Sequence, residues 1–195
     1  MSKVAKRSGV VKKILQKVNH NTPLRVNIPA GMANAKPPLG SQLGQRNINV
    51  ANFCKDFNAR TANIKDGIPL PTRVKVKSDG TYDLVIHKPP ATYFLKQAAG
   101  IEKGKVTKGE VAGKITFKHL YEIAVIKSED PPLALLTLEQ ICGMLVGIAR
   151  SCGIEIVHAI DAKEHAEFME KRAEHVKEFL DELQAAKESK ILRGA

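Results

Sequence analysis

The hydrophobic pattern changes period twice within residues 20–88. Leu24, Val26 and Ile28 alternate with Arg25 and Asn27, which predicts a strand with one buried face. From Val50 the apolar positions Phe53, Cys54, Phe57 and Ile64 fall at helical spacing behind Asn49, a residue suited to an N-cap, and Asp66-Gly67 ends that helix. Period two returns at Val74 and Val76, alternating with Lys75 and Lys77. The turn Ser78-Asp79-Gly80 then leads into Tyr82, Leu84 and Ile86, which makes a hairpin. One helix on three strands is a compact α+β domain.

Lys88-Pro89-Pro90 is stiff and marks the predicted boundary to a second, mainly helical domain at residues 89–158. Tyr93, Phe94 and Ala98 predict a short helix. Thr116 caps a second, with Phe117, Leu120, Tyr121 and Ala124 on its face and Asp130-Pro131-Pro132 after its end. Thr137 and Gln140 form a capping box for a third, whose apolar stripe is Leu138, Ile141, Cys142, Leu145, Ile148, Ala149 and Cys152. The back of this third helix carries Gly143, Gly147 and Ser151 every four residues, with Arg150 beside them. Each interior glycine costs roughly 1 kcal/mol relative to alanine. A bare stripe therefore calls for close approach by something bulky: another helix, or a nucleic-acid backbone, with Arg150 favouring the latter.

Residues 159–195 predict a helical extension in which Ala166, Met169, Ala173, Val176, Leu180 and Leu183 recur by threes and fours. That spans fewer than three heptads, so a helix docking on a neighbouring protein and a solvated tail fit equally well. At the other end, residues 1–19 place Val11, Ile14, Leu15 and Val18 on one helical face beside Lys12, Lys13 and Lys17. This basic amphipathic segment suits a mitochondrial transit peptide or an arm lying on RNA.

Two segments break the periodicity. Residues 95–116 hold Gly100, Gly104, Gly109 and Gly113 with Lys96, Lys103, Lys105, Lys108 and Lys114, against only two acids, Glu102 and Glu110. Glycine lets backbone come close to a ligand and lysine supplies a mobile charge for phosphate, so the segment suits a polyanion. The same composition also serves an ordinary solvated loop. A nucleotide-binding P-loop fails on spacing: Gly104 and Gly109 have the gap but Glu110 follows, and Gly113-Lys114 is followed by Ile115. Residues 31–44 contain Pro37-Pro38 with Gly40 and Gly44, and read as a rigid extended loop that presents an edge to a partner, or as a plain connector.

Charge sharpens the picture. The net charge is +11, and residues 1–55 hold ten Lys or Arg and no acid, so the positive field is concentrated there and in the lysine loop. Such a field favours nucleic acid or an anionic membrane surface. No apolar run approaches the roughly 18 residues of a membrane span, so membrane insertion is not expected. Cys54, Cys142 and Cys152 have no zinc spacing and predict small buried hydrophobes in a reducing compartment. No metal site, cofactor or nucleophile–base pair is expected, and no enzymatic activity.

Several words in one order now matter together. Gly31-Met32-Ala33-Asn34, Pro37-Pro38-Leu39-Gly40, Leu43-Gly44-Gln45, Asn52-Phe53-Cys54-Lys55-Asp56-Phe57-Asn58, Gly67-Ile68-Pro69-Leu70-Pro71, Lys96-Gln97-Ala98-Ala99-Gly100-Ile101 and residues 147–153 resemble the L-eleven family of large-subunit ribosomal proteins. The resemblance covers residues 22–158. Residues 67–72, Ile101-Glu102-Lys103-Gly104 and the long C-terminal helix resemble the mitochondrial members most. It implies a structural constituent of the mitochondrial large ribosomal subunit, in the matrix, whose two domains bind the GTPase-associated region of large-subunit rRNA. The implied RNA contacts are Gly100, Lys103, Gly104, Lys105, Lys108, Gly113 and Lys114 in the loop, and Gly147, Arg150 and Ser151 on the helix. A proline-rich helix at Pro37, Pro38, Gly40, Gly44 and Gln45 is implied to face RNA, translational GTPases and stalk proteins, and to swing as factors bind. Ile148 stands where the family commonly has a hydroxyl residue, which removes one implied RNA contact in favour of packing. The alternatives are an RNA-binding accessory factor outside the ribosome and, disfavoured by the broken P-loop, a nucleotide-dependent enzyme.

Overall fold

A computed structural model of the chain describes residues 22–77 and 81–194. The helix expected over residues 1–19 and the turn Ser78-Asp79-Gly80 lie outside the described residues. The chain divides into two compact units between Pro90 and Ala91.

In the first unit, β1 (Leu24–Pro29), β2 (Pro69–Val76) and β3 (Tyr82–Ile86) form an antiparallel sheet in that order. Val26 pairs with Thr72 and Val74 with Leu84. β2 begins five residues before the alternation at Val74, through Pro69 and Pro71. Proline cannot donate to a ladder, so these positions look unlike a central strand in sequence. Pro69 opens the strand opposite Pro29, and the Pro71 carbonyl still accepts from the His87 N–H at 2.9 Å.

Two helices cover the sheet. α1 (Leu39–Gly44) lies in the segment whose composition reads as an extended loop; its Leu39 and Leu43 are both buried, and that burial makes six residues behind Pro38 helical. The helix implied by the family resemblance is thus present. The peptide bond between Pro37 and Pro38 is cis. α2 (Val50–Arg60) starts at Asn49, whose side chain accepts from the Asn52 N–H at 3.2 Å. It stops earlier than Ile64 suggests, because the Thr61 hydroxyl donates to the Phe57 carbonyl at 2.9 Å and accepts from the Gly31 N–H at 3.1 Å. Phe53 and Phe57 meet Leu24, Ile28, Leu70 and Val74 in one core.

The second unit comprises α3 (Ala91–Ala98), β4 (Gly113–Thr116), α4 (Phe117–Ser128), a 3-10 turn (Pro131–Leu133), α5 (Leu138–Cys152), β5 (Ile154–Val157) and α6 (Ala162–Gly194). β4 and β5 pair in parallel, with Ile115 opposite Ile156. Neither strand was legible as such, since four residues carry too little periodicity to set against the flanking helices. The unit is therefore mainly helical with a two-stranded sheet. Both expected capping residues are in place: Thr116 with His119 on α4, and Thr137 with Gln140 on α5. Gly153 closes α5 at φ 77°, a left-handed position that suits glycine.

Leu95, Ile115, Leu120, Ala124, Ile141, Leu145, Ala149 and Ile154 form the second core. Three expectations of burial are corrected. Leu138 is exposed at the first turn of α5, and Phe117 and Tyr121 are exposed on α4, where Ile123 takes the buried position instead. Cys54, Cys142 and Cys152 are half-buried at the edges of the two cores rather than enclosed in them. Lys127 and Asp130 make a buried ion pair at the end of α4.

Candidate nucleic-acid interface

With Ile141, Leu145 and Ala149 turned into the core, the helical repeat forces Gly143, Met144, Gly147, Arg150 and Ser151 outward. All five are exposed. A Cβ placed on Gly143 or Gly147 meets no atom within 4 Å. Among the described residues no helix packs on this stripe, which removes the helix-packing explanation of its glycines. The Ser151 hydroxyl donates to the Ile148 carbonyl at 2.6 Å while staying exposed. Ile148 itself is half-buried against the core, so at this position packing does replace a hydroxyl.

The lysine–glycine loop is laced to the C-terminal end of this helix. The Lys105 N–H donates to the Cys152 carbonyl at 2.8 Å, and the Ala112 N–H to the Gly153 carbonyl at 2.7 Å. The Lys105 ammonium donates to the Arg150 carbonyl at 3.2 Å, which also accepts from the Gly153 N–H at 3.2 Å, and a cation is favoured at this negative end of the helix dipole. Lys105 and Arg150 line one open groove of about 380 Å³ with Val111 and Val146, and the acids Glu110 and Glu155 line it too. Lys108 is exposed beside Gly109, which sits at φ 91° with open space around it.

Other members of the expected RNA-contact set lie elsewhere. Gly113 is buried in β4, where a Cβ would stand 2.9 Å from that of Ala99, so it serves packing and its backbone is not available to a ligand. Gly104 faces the chain itself: a Cβ there would fall 2.8 Å from the Cys152 carbonyl oxygen. Gly100 is exposed at φ 66°, near Met169 of α6. Lys103 lines a second cleft, about 480 Å³, with Met169, Arg172, Val176 and Leu180 of α6. The Lys114 ammonium lies over the Phe168 ring at 5.4 Å from its centre. The lysines thus divide between the α5 groove and the α6 side.

Sequence reasoning missed Glu110 and Arg172. One Glu110 carboxylate oxygen accepts from the Val106 N–H at 2.7 Å, the Thr107 N–H at 2.9 Å and the Thr107 hydroxyl at 3.3 Å. The other pairs with the Arg172 guanidinium and lies 3.7 Å from His175 Nδ1. Arg172 is 8% exposed and also donates to the Gly104 carbonyl at 3.2 Å. Its burial lowers the guanidinium pKa from its ordinary value. The available signal was an acid inside a basic loop, together with a cation in register with the apolar row Met169, Ala173 and Val176. In place of a neighbouring protein or solvent alone, α6 meets its own chain here.

In the first unit, Pro37, Pro38, Gly44 and Gln45 are exposed along α1, whose Leu39 and Leu43 anchor it from beneath. Gly40 differs, since a Cβ there would collide with the Ala35 carbonyl. Among the described residues no group of three or more His, Cys, Asp or Glu could hold a metal ion, and no helix is long and apolar enough to cross a membrane.

The chain thus joins a small α+β unit to a mainly helical one in which α5 presents a bare face with Arg150 at its edge. The model of the ribosomal protein L11 N-terminal domain matches residues 24–82, and that of the ribosomal protein L11 RNA binding domain matches residues 87–156. The chain belongs to the ribosomal protein L11 family. It is 58% identical over 194 residues to the large ribosomal subunit protein uL11m of Drosophila melanogaster, covering 99% of both chains. It is 54% identical over 185 residues to the protein of the same name from Caenorhabditis elegans, covering 94% of this chain and 95% of that one. The large ribosomal subunit protein uL11 of Roseobacter denitrificans is 42% identical over 134 residues, 68% of this chain and 94% of its own.

Proposed function

We propose that this chain is a structural, non-enzymatic constituent of the mitochondrial large ribosomal subunit that binds large-subunit rRNA through its second unit. The observation that carries the reading is the open Gly143–Gly147 stripe of α5 with Lys105 and Arg150 on one groove beside it. An A-form helix offers a wide, shallow minor groove edged by phosphate and 2′-hydroxyl groups. A helix face without side chains can lie against such a surface, and the flanking cations meet phosphate at its rim and release counterions. Gly147, Arg150, Ser151, Lys105 and Lys108 are the residues assigned to this contact; Gly104 and Gly113 hold the loop in shape.

The remaining assignments extend the same reading. Residues 89–158 form the rRNA-binding domain and residues 20–88 the N-terminal domain, with residues 159–195 a helical extension and residues 1–19 a transit peptide or RNA arm. The RNA bound is the GTPase-associated region, and the exposed edge of α1 at Pro37, Pro38, Gly44 and Gln45 faces translational GTPases and stalk proteins. Relatives named as mitochondrial ribosomal proteins across nearly their whole length support the mitochondrial ribosome as its location. Sedimentation of mitochondrial large subunits through a high-salt cushion tests the proposal. The protein should remain with the particle, whereas an extra-ribosomal factor would wash into the supernatant.

A further inference from the structure

We propose that α6 is a positioning element for the rRNA-binding loop, acting through Arg172 on Glu110; the inference rests on the reading of that loop as an RNA contact. Glu110 poses a problem in a loop that must attract phosphate. Its carboxylate is needed to close the turn, because one oxygen accepts both the Val106 and Thr107 N–H groups. Left unpaired, the same charge would repel phosphate and cancel the field of Lys105 and Lys108. Arg172, reaching in from α6, neutralises it at the oxygen the turn does not use.

The guanidinium does a second thing at once. It donates to the Gly104 carbonyl, next to Lys105, where the loop joins the end of α5. One side chain therefore fixes both stems of the loop, at Gly104 and at Glu110. This needs the planar fork of arginine, since a lysine ammonium on one flexible stem meets two separated acceptors less well. Lys114 over Phe168 adds a further tie between β4 and α6.

Two facts separate positioning from general support of the fold. No α6 residue belongs to the second hydrophobic core among the described residues. The match to the RNA binding domain ends at residue 156, before α6 begins. A helix outside the core, with a buried arginine aimed at the loop, orders the loop before RNA arrives and so reduces the entropy lost on binding.

The test uses the full chain and a transcript of the large-subunit rRNA GTPase-associated region, with affinity measured across a salt series. Arg172→Met should weaken binding about tenfold or more, because an unpaired carboxylate and a loosened loop now face phosphate. The slope against log salt should stay the same, because no phosphate contact is lost. Adding Glu110→Gln to Arg172→Met should recover much of the affinity by removing the stranded charge, a non-additive result. Arg172→Lys should bind better than Arg172→Met and worse than the natural chain. Amide exchange at Val106 and Thr107 should accelerate in Arg172→Met. Unchanged affinity in Arg172→Met, or a slope reduced by about one contact (~0.7–0.9), overturns the proposal, the second result making Arg172 itself a phosphate ligand. If Arg172→Met does not fold, Arg172→Lys decides: weaker binding at an unchanged salt slope, with faster amide exchange at Val106 and Thr107, supports positioning, and affinity and exchange equal to those of the natural chain overturn it. Failure of the natural chain to bind the transcript sinks the RNA reading itself, and is distinguished by occurring before any substitution.

Discussion

Gly147→Leu separates the two physical roles a glycine stripe can have. Apart from the backbone of its own helix and its chain neighbours, no atom lies within 4 Å of a Cβ built at this position, so the new side chain enters open space in the isolated protein. Leucine is favoured over glycine in a helix interior by about 0.6–0.8 kcal/mol. For a unit of this size, one kcal/mol moves the melting temperature by roughly 4–8 °C, so the second unit should melt about 3–5 °C higher. RNA binding should move the other way. An isobutyl group in the middle of the bare stripe holds the sugar–phosphate backbone away from Gly143 and Ser151, one turn to either side. Arg150, the neighbouring cation, loses its reach as well. A loss of at least about tenfold, or roughly 1.4 kcal/mol, is expected in Kd. Circular-dichroism melting and fluorescence anisotropy with a labelled rRNA fragment, on one preparation, give both numbers. A lower melting temperature with near-normal affinity would refute the reasoning, since the stripe would then be a packing surface and Arg150 and Ser151 would lose their assigned role.

Three other substitutions probe what holds the two units. Thr137→Ala removes the side-chain acceptor for the Gln140 N–H and should cost about 1 kcal/mol, seen as a lower melting temperature of the second unit with little change in RNA affinity at low temperature. Phe53→Ala empties a fully buried site between α2 and the sheet and should cost roughly 3–5 kcal/mol, read as a lower urea midpoint of the first unit. The Tyr82 phenol is held above its ordinary value of 10.0, first by burial and then by Asp56, whose carboxylate accepts its hydroxyl at 3.3 Å. The folded state thus favours the protonated phenol, and that stabilisation is complete below pH 10 and lost as pH rises through the raised pKa. Tyr82→Phe should make the decline in stability above that pH shallower.

What could be read in advance was whatever carried its own periodicity or chemistry. Asn49, Thr116 and Thr137 announce helix starts because a short polar acceptor precedes an apolar repeat, and all three caps are present. The outward face of α5 followed from the inward one, since buried Ile141, Leu145 and Ala149 leave Gly143 and Gly147 no other direction. Harder to read were features made by tertiary neighbours. β4 and β5 exist because Ile115 and Ile154 are both buried and their backbones can pair, which four-residue runs cannot announce. β2 was shortened in the reading by Pro69 and Pro71, whose local preference is overridden by pairing with β1. Residues 38–44 lacked a repeat long enough to reveal α1. The loop glycines looked alike in composition, yet Gly104 and Gly113 are set by the atoms a Cβ would strike and Gly109 by its φ. Arg172 and Glu110 stand 62 positions apart in sequence, and no local pattern relates them.

The most direct measurement of the central claim is the salt dependence of rRNA binding by the natural chain and by a Lys105→Ala/Lys108→Ala/Arg150→Ala variant. If these three cations meet phosphate at the edge of the α5 face, the slope of log affinity against log salt should fall by about 0.7–0.9 for each, or roughly 2–3 in all. An unchanged slope in a variant that melts normally would contradict the account, returning the loop to a solvated surface and placing the RNA contact elsewhere on the protein.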